Sequence, residues 1–182
     1  MKNENLISEV ILTLKNAHYD PRQERGRKNS TLAFYENLQL LGEKYEFKTY
    51  HGRRKGGGEW LWDFVWSNEG NGKINGWKKL SHLELVCESE WDMYFDALLM
   101  DFQKLMVAKA SIKLFICQGY EKNNENLFKD LENSIPQKLK SIDETWILFI
   151  SDDNDLPTCW IWQYDNEGQM IPDINEAKYV WK

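Results

Sequence analysis

The chain has 182 residues, of which 42% are hydrophobic and 29% charged, and its formal net charge is −6. This length suits one domain spanning residues 1–182, and the apolar content excludes a wholly disordered chain. The acidic balance argues against a simple nucleic-acid-binding protein. No apolar run approaches the length of a membrane span, and the start lacks the apolar segment of a signal peptide.

Three scattered cysteines, Cys87, Cys117 and Cys159, each fall within an apolar run. Their odd number and spacing favour buried, reduced thiols in a cytoplasmic protein over disulfides or a zinc site.

The first third of the chain is predicted to be mostly helical. Apolar residues at helical spacing predict an amphipathic helix over residues 4–17. A polar loop is expected over residues 18–29, and Ser30 is the expected N-cap of a second helix that stops near Gly42. Residues 46–50 alternate as in a short strand, and residues 51–58 read as a flexible basic loop.

The rest of the chain alternates strands and helices. Strands are predicted at residues 60–66 and 83–91, joined by a turn-rich connection whose Asn-Gly content at residues 68–73 suits a hairpin. A helix through about Lys109, a strand at 112–117, a helix at 125–142 interrupted by Pro136, strands at 146–150 and 159–164 and an irregular tail complete the order. This order predicts an α/β fold, a mixed central sheet flanked by helices, with its core at approximately residues 30–165.

Several of the nine tryptophans lie in predicted strands. Such large rings could fill the core or, alternatively, form a platform on which bases stack.

Three carboxylates in the two central strands supply the main functional signal. Because side chains alternate along a strand, Glu88 and Glu90 should share one face, and antiparallel pairing would bring Asp63 beside Glu88. Clustered carboxylates repel one another unless a cation intervenes, and oxygen ligands favour Mg²⁺ or Mn²⁺. The alternative is that these residues form the solvated face of an amphipathic strand.

This pattern resembles the PD-(D/E)xK, or restriction-endonuclease-like, nuclease superfamily over roughly residues 30–118. Asp63 would match the motif aspartate, although no proline precedes it. The run Glu88-Ser89-Glu90 would match (D/E)-x-K, with Glu90 standing where a lysine is expected. The resemblance implies a restriction-endonuclease-like core and metal-dependent hydrolysis of phosphodiester bonds.

The resemblance also implies roles for particular residues. Asp63 and Glu88 would bind the metal ion, joined by a glutamate of the first core helix, for which Glu36 is the candidate. Glu90 would orient or deprotonate the attacking water, and Lys104 of the following helix could supply the missing positive charge. Glu36 and Lys104 could instead be ordinary surface residues.

Positive charge is concentrated near the start of the chain. Residues 1–60 carry 11 basic and 8 acidic side chains, whereas residues 61–182 carry 12 and 21. We expect Arg53, Arg54 and Lys55 to contact a nucleic-acid backbone, with DNA favoured over RNA, unless they are merely solvated loop charges. The acidic total and the missing motif lysine favour a second hypothesis, a non-catalytic interaction or immunity-type regulatory protein on the same fold. A homodimer or a protein partner is compatible with both hypotheses.

Overall fold

A mixed sheet of seven strands organises the part of the chain that the computed structural model describes: residues 2–19, 27–51, 61–74, 77–118, 124–151, 157–171 and 179–180. The strands lie side by side in chain order: β1 (Lys48–His51), β2 (Phe64–Ile74), β3 (Trp77–Glu90), β4 (Ala110–Cys117), β5 (Thr145–Ile150), β6 (Thr158–Trp162) and β7 (Tyr179–Val180). Pairing is parallel between β3, β4 and β5 and antiparallel elsewhere. The predicted α/β fold with a mixed central sheet is confirmed.

Helices cover both faces of this sheet. They are α1 (Lys2–His18), α2 (Arg27–Lys44), α3 (Phe95–Met106) and α4 (Asn124–Asn133), and a short 3₁₀ helix (Gln137–Leu139) follows α4. The apolar stripes of α1 and α2 pack against one face, and those of α3 and α4 pack against the other. The connection from β3 to β4 therefore runs through α3 and that from β4 to β5 through α4, both on the same face of the sheet. The last residues of β3 meet α3 on this face.

Alternation along β5 shows how the sheet supplies two cores. Ile147 and Phe149 face α1 and α2, whereas Trp146 and Leu148 face α3 and α4. Both cores are rich in aromatic rings, and Trp66, Trp146 and Trp162 are fully buried. Core packing, the first of the two uses predicted for the tryptophans, is confirmed for these three. The three cysteines are buried and unpaired, as expected.

The two central strands form the predicted antiparallel hairpin, but the position of its turn was predicted wrongly. Residues 68–73 do not form the turn, because β2 continues to Ile74 and β3 begins at Trp77. The glycines of this stretch lie within the strand, where the pairing of β2 with β3 is irregular and its register shifts between Glu69 and Lys73. Gly72 has a φ of 97°.

The starts of two strands also differ from the prediction, because the local backbone geometry outweighs the sequence pattern. Asp63 lies in a bend immediately before β2 and not inside a strand. Glu46 has a φ of 62°, and the amide of Phe47 donates to the carbonyl of Gly42 at 2.9 Å, so these residues terminate α2. This left-handed cap leaves β1 to begin at Lys48.

The limits of two helices also differ from the prediction. Ser30 is not the N-cap of α2, because the helix begins at Arg27, within the stretch predicted to be a loop. The predicted helix over residues 125–142 ends at Asn133, and Pro136 precedes the short 3₁₀ helix. A proline lacks the amide hydrogen that a continuing helix needs.

Candidate active site

Three segments meet where β3 ends: the bend before β2, the buried side of α2 and the exposed edge of α3. Phe64 pairs with Cys87 across the β2–β3 ladder, so Asp63 is brought next to Glu88. Tyr35 of α2 and Lys104 of α3 reach this point from opposite faces of the sheet. The fold therefore gathers residues that are up to 69 positions apart along the chain.

The carboxylate of Asp63 is held in a fixed orientation. Its Oδ2 accepts hydrogen bonds from the Tyr35 hydroxyl at 3.0 Å and from the amide and hydroxyl of Ser89, each at 3.1 Å. The Tyr35 and Ser89 hydroxyl oxygens lie 2.7 Å apart. Because Ser89 faces α2 while Glu88 faces α3, Asp63 bridges the two faces at the sheet end. The sequence pattern predicted that Asp63 would simply share the face of Glu88, and in this respect the prediction was wrong.

Glu88 is the most deeply buried carboxylate of the site, with 0% of the residue exposed. Its Oε1 accepts the Asp63 amide at 3.3 Å, and its Oε2 contacts Lys104 Nζ at 3.0 Å. Burial, followed by the charge of Asp63, raises the pKa of Glu88 to about 7, and the Lys104 ammonium offsets only part of that rise. Near neutral pH this carboxyl is therefore divided between its protonated and ionised forms.

Lys104 lies between two carboxylates. Its Nζ contacts Asp101 Oδ1 at 2.6 Å as well as Glu88 Oε2. Partial desolvation opposes the charged form, but these two carboxylates prevail and raise the pKa of Lys104 above its usual value. The Trp62 indole donates to the Lys104 carbonyl at 3.1 Å, which ties α3 to the segment that carries Asp63. Of the two orientations open to it from the sequence, Lys104 adopts the one toward the site.

Glu90 lies at the end of β3, one pleat beyond Glu88. Its Oε1 accepts the Asp92 amide at 2.7 Å. Partial burial and a hydrogen bond with the Asp101 carboxyl raise the pKa of Glu90, against the opposing effect of the Asp92 amide. The Asp101 carboxyl therefore contributes to the electrostatics of Glu90.

Asp101 was not assigned a role from the sequence. The signal was present, since Asp101 lies three residues before Lys104 and residues at that spacing are neighbours on a helix. Once Lys104 points toward Glu88, Asp101 must lie close to the same site.

The remaining predicted site residues have different positions. Glu36 is exposed on α2, and its neighbour Tyr35 is the residue that contacts Asp63. Arg53, Arg54 and Lys55 lie outside the described residues.

Asp63 and Glu88 make a suitable donor pair for a hard cation. The carboxylate oxygens of an aspartate lie within about 5 Å of the backbone nitrogen of the same residue. Because the backbone nitrogen of Asp63 contacts Glu88, the two carboxyl groups lie close together. Mg²⁺ commonly uses one or two protein carboxylates and completes its shell with water and substrate phosphate. Among the side chains that the structure describes, no group of three or more His, Cys, Asp or Glu is arranged to hold a metal ion. Among the described residues, a metal ion at this position would therefore have at most two carboxylates as protein ligands.

Comparison with models of protein families finds no match for the chain, and comparison with curated proteins finds no relative. The interpretation of the site consequently depends on its own geometry. In the described part of the chain, none of the helices combines the length and apolar character needed to cross a membrane.

Proposed function

We propose that this protein is a metal-dependent nuclease that hydrolyses phosphodiester bonds in DNA or RNA, on a restriction-endonuclease-like core. The contact between Lys104 Nζ and Glu88 Oε2, at 3.0 Å, carries the proposal. Glu90 occupies the position where the motif would have a lysine, and α3 delivers a lysine to the neighbouring carboxylate instead. The site thereby combines two adjacent acidic groups with a lysine, an arrangement that can hold a metal ion and stabilise charge on a phosphoryl group.

Each residue has a distinct part in the proposed mechanism. Asp63 and Glu88 would hold Mg²⁺ or Mn²⁺, which when bound would neutralise phosphoryl charge and acidify water. The hydrogen bonds from Tyr35 and Ser89 fix the Asp63 carboxylate before substrate arrives. Glu90 orients the attacking water or accepts its proton, and Lys104 stabilises negative charge that develops on the phosphoryl oxygens.

The proposal extends to partners and location. DNA is favoured over RNA as the substrate, and Arg53, Arg54 and Lys55 are proposed to contact its backbone. A homodimer or a protein partner is compatible with this role. A cytoplasmic location is supported by three buried cysteines that form no disulfide.

The second candidate is a non-catalytic interaction or immunity-type regulatory protein on the same fold. One observation favours it: Lys104 bonds Glu88 and Asp101 at once, so these charges already form an internal network without an added ion. In that case the lysine would act as a structural counter-ion.

Cleavage assays distinguish the two candidates. Single- and double-stranded DNA and RNA are incubated with the protein and Mn²⁺ or Mg²⁺, and products are resolved on denaturing gels. We expect cleavage by the wild type and a loss of at least about a hundredfold in Glu88→Gln and in Lys104→Ala, as is usual when a catalytic group is removed.

Glu125→Gln is the matched control. Glu125 is an exposed glutamate of α4 paired with Lys129 at 2.9 Å, and its replacement should leave cleavage unchanged. Cleavage that persists in Glu88→Gln would exclude the proposed site. No cleavage of any of the four substrates, together with recovery of one stoichiometric protein partner, would favour the regulatory candidate.

A further inference from the structure

A cavity of about 740 Å³ lies away from the carboxylate site, where β4 and β5 begin. It is bordered by the end of α3, the first residues of β4 and residues 138–144, which precede β5. Ala110 of this cavity pairs with Leu83, five residues before Glu88, which corresponds to about 17 Å along β3. The cavity and the candidate active site are therefore at opposite ends of the same strands.

The lining of this cavity is more basic than the protein as a whole. Four lysines and two acidic residues contribute to it, in a chain whose net charge is −6: Lys109, Lys113, Lys138, Lys140, Asp143 and Glu144. Lys140 is paired with Glu132 at 3.0 Å, whereas Lys109 and Lys138 are exposed. Ammonium groups gathered around a concave surface attract phosphate or carboxylate groups.

A buried ion pair forms another part of the lining. The side chain of Lys113 is 1% exposed, and its Nζ lies 2.7 Å from Glu144 Oε2. This is the separation of a charge-assisted contact between an ammonium group and a carboxylate. Burial raises the pKa of Glu144, against the effect of Lys113. A carboxylate has about four lone-pair sites, so the contact with Lys113 leaves acceptor capacity at Glu144 that a ligand hydroxyl could use.

Apolar side chains complete the cavity. Met106, Val107 and Leu139 supply a wall against which the carbon skeleton of a ligand could pack. The volume lies in the range typical of small-molecule sites, which combine apolar walls with a few polar groups.

We propose that this cavity binds a small phosphate monoester that carries hydroxyl groups, such as a sugar phosphate. The phosphate contacts Lys109 and Lys138, and a ligand hydroxyl donates to Glu144. The proposal does not depend on the nuclease assignment, because the two sites have no residue in common.

Isothermal titration calorimetry at constant ionic strength tests the proposal, with ribose 5-phosphate as the probe. We expect saturable one-to-one binding, weaker binding of inorganic phosphate, which lacks the carbon-bound hydroxyls, and no binding of ribose, which lacks the charge. The double variant Lys109→Ala, Lys138→Ala should weaken ribose 5-phosphate binding by at least about tenfold, because each lost charged contact costs about that much. Both lysines are exposed, so the double variant should fold normally.

Lys129→Ala is the matched control, since Lys129 is an exposed lysine of α4 that does not line the cavity. Its affinity for ribose 5-phosphate should equal that of the wild type. Absence of saturable binding at millimolar concentrations would overturn the proposal. So would an equal loss in Lys129→Ala, which would reveal general charge attraction, or inorganic phosphate binding as tightly as ribose 5-phosphate.

Discussion

The Glu88→Gln variant tests whether burial controls the electrostatics of the candidate site. Burial and the neighbouring Asp63 raise the pKa of Glu88 to about 7, whereas its ordinary value is 4.5. Between these values the folded protein holds a proton at Glu88 that the unfolded chain has released. The contribution of Glu88 to the free energy of unfolding must therefore fall as the pH rises from about 4.5 to about 7.

The magnitude follows from the difference between the two pKa values. A difference of about 2.5 corresponds to about 3 kcal/mol of stability, of which about 2 kcal/mol is lost between pH values of about 5.5 and 8.5. Glutamine has nearly the same shape and cannot titrate, so Glu88→Gln should not show this loss. A constant offset in stability between the two proteins does not affect the comparison of slopes.

Urea denaturation followed by tryptophan fluorescence supplies the measurement. The stability of the wild type relative to Glu88→Gln should decrease by about 2 kcal/mol from pH about 5.5 to about 8.5. Glu125→Gln, which removes an exposed carboxylate, should parallel the wild type. If wild type and Glu88→Gln show the same pH dependence within about 0.5 kcal/mol, Glu88 does not titrate as its burial requires, and the reasoning is refuted.

Three further variants test contacts that hold the fold and the site, each by its urea denaturation midpoint. Tyr35→Phe removes the hydroxyl that contacts Asp63 and Ser89 and should cost about 1–2 kcal/mol; an unchanged midpoint would mean that these hydrogen bonds contribute nothing net. Lys113→Met leaves the buried Glu144 carboxylate without its counter-ion and should cost about 3–5 kcal/mol, and adding Glu144→Gln should recover part of it. Gly42→Ala would place a methyl group 2.5 Å from Trp66 Nε1 and should cost about 1–3 kcal/mol; stabilisation, as helix propensity alone predicts, would contradict this crowding.

The sequence predicted the element order because each buried segment carries a clear period. In α3, Leu98, Phe102 and Leu105 recur at helical spacing, and β5 is apolar at every position from Trp146 to Ile150, on both of its faces. The strand boundaries were less predictable where glycine did not have its usual turn-forming effect. The stretch around Gly70 and Gly72 has the composition of a turn, yet pairing with β3 keeps it in the sheet.

The site was predictable in part for the same reason. The alternation of side chains along β3 correctly predicts that Glu88 and Ser89 lie on opposite faces of the sheet. Their burial and contacts follow from these positions. The role of Tyr35 could not be read from the sequence, because its contact with Asp63 depends on how α2 packs across the sheet. The bend at Asp63 was equally hidden, since the run from Trp60 to Trp66 has the composition of an uninterrupted strand.

Charge balance at the site leads to a last prediction, that protons and metal ions compete there. The carboxyl groups of Asp63, Glu88, Glu90 and Asp101 belong to the site, but only those of Glu88 and Asp101 contact Lys104, and burial raises the pKa values of Glu88 and Glu90. A divalent cation would relieve the same repulsion, and binding it would release a proton from Glu88.

Mn²⁺ affinity, measured by calorimetry without substrate, should therefore increase as the pH rises. The increase should be up to about tenfold per pH unit until the pH reaches about 7, and the affinity should be constant above that value. Glu88→Gln should abolish the dependence along with most of the affinity, whereas Glu125→Gln should preserve both. Binding that is tight but independent of pH in the wild type would place the ion away from Glu88. In that event Lys104 would be the counter-ion that the described part of the chain supplies to Glu88, and the structural role of the lysine would be favoured over catalysis.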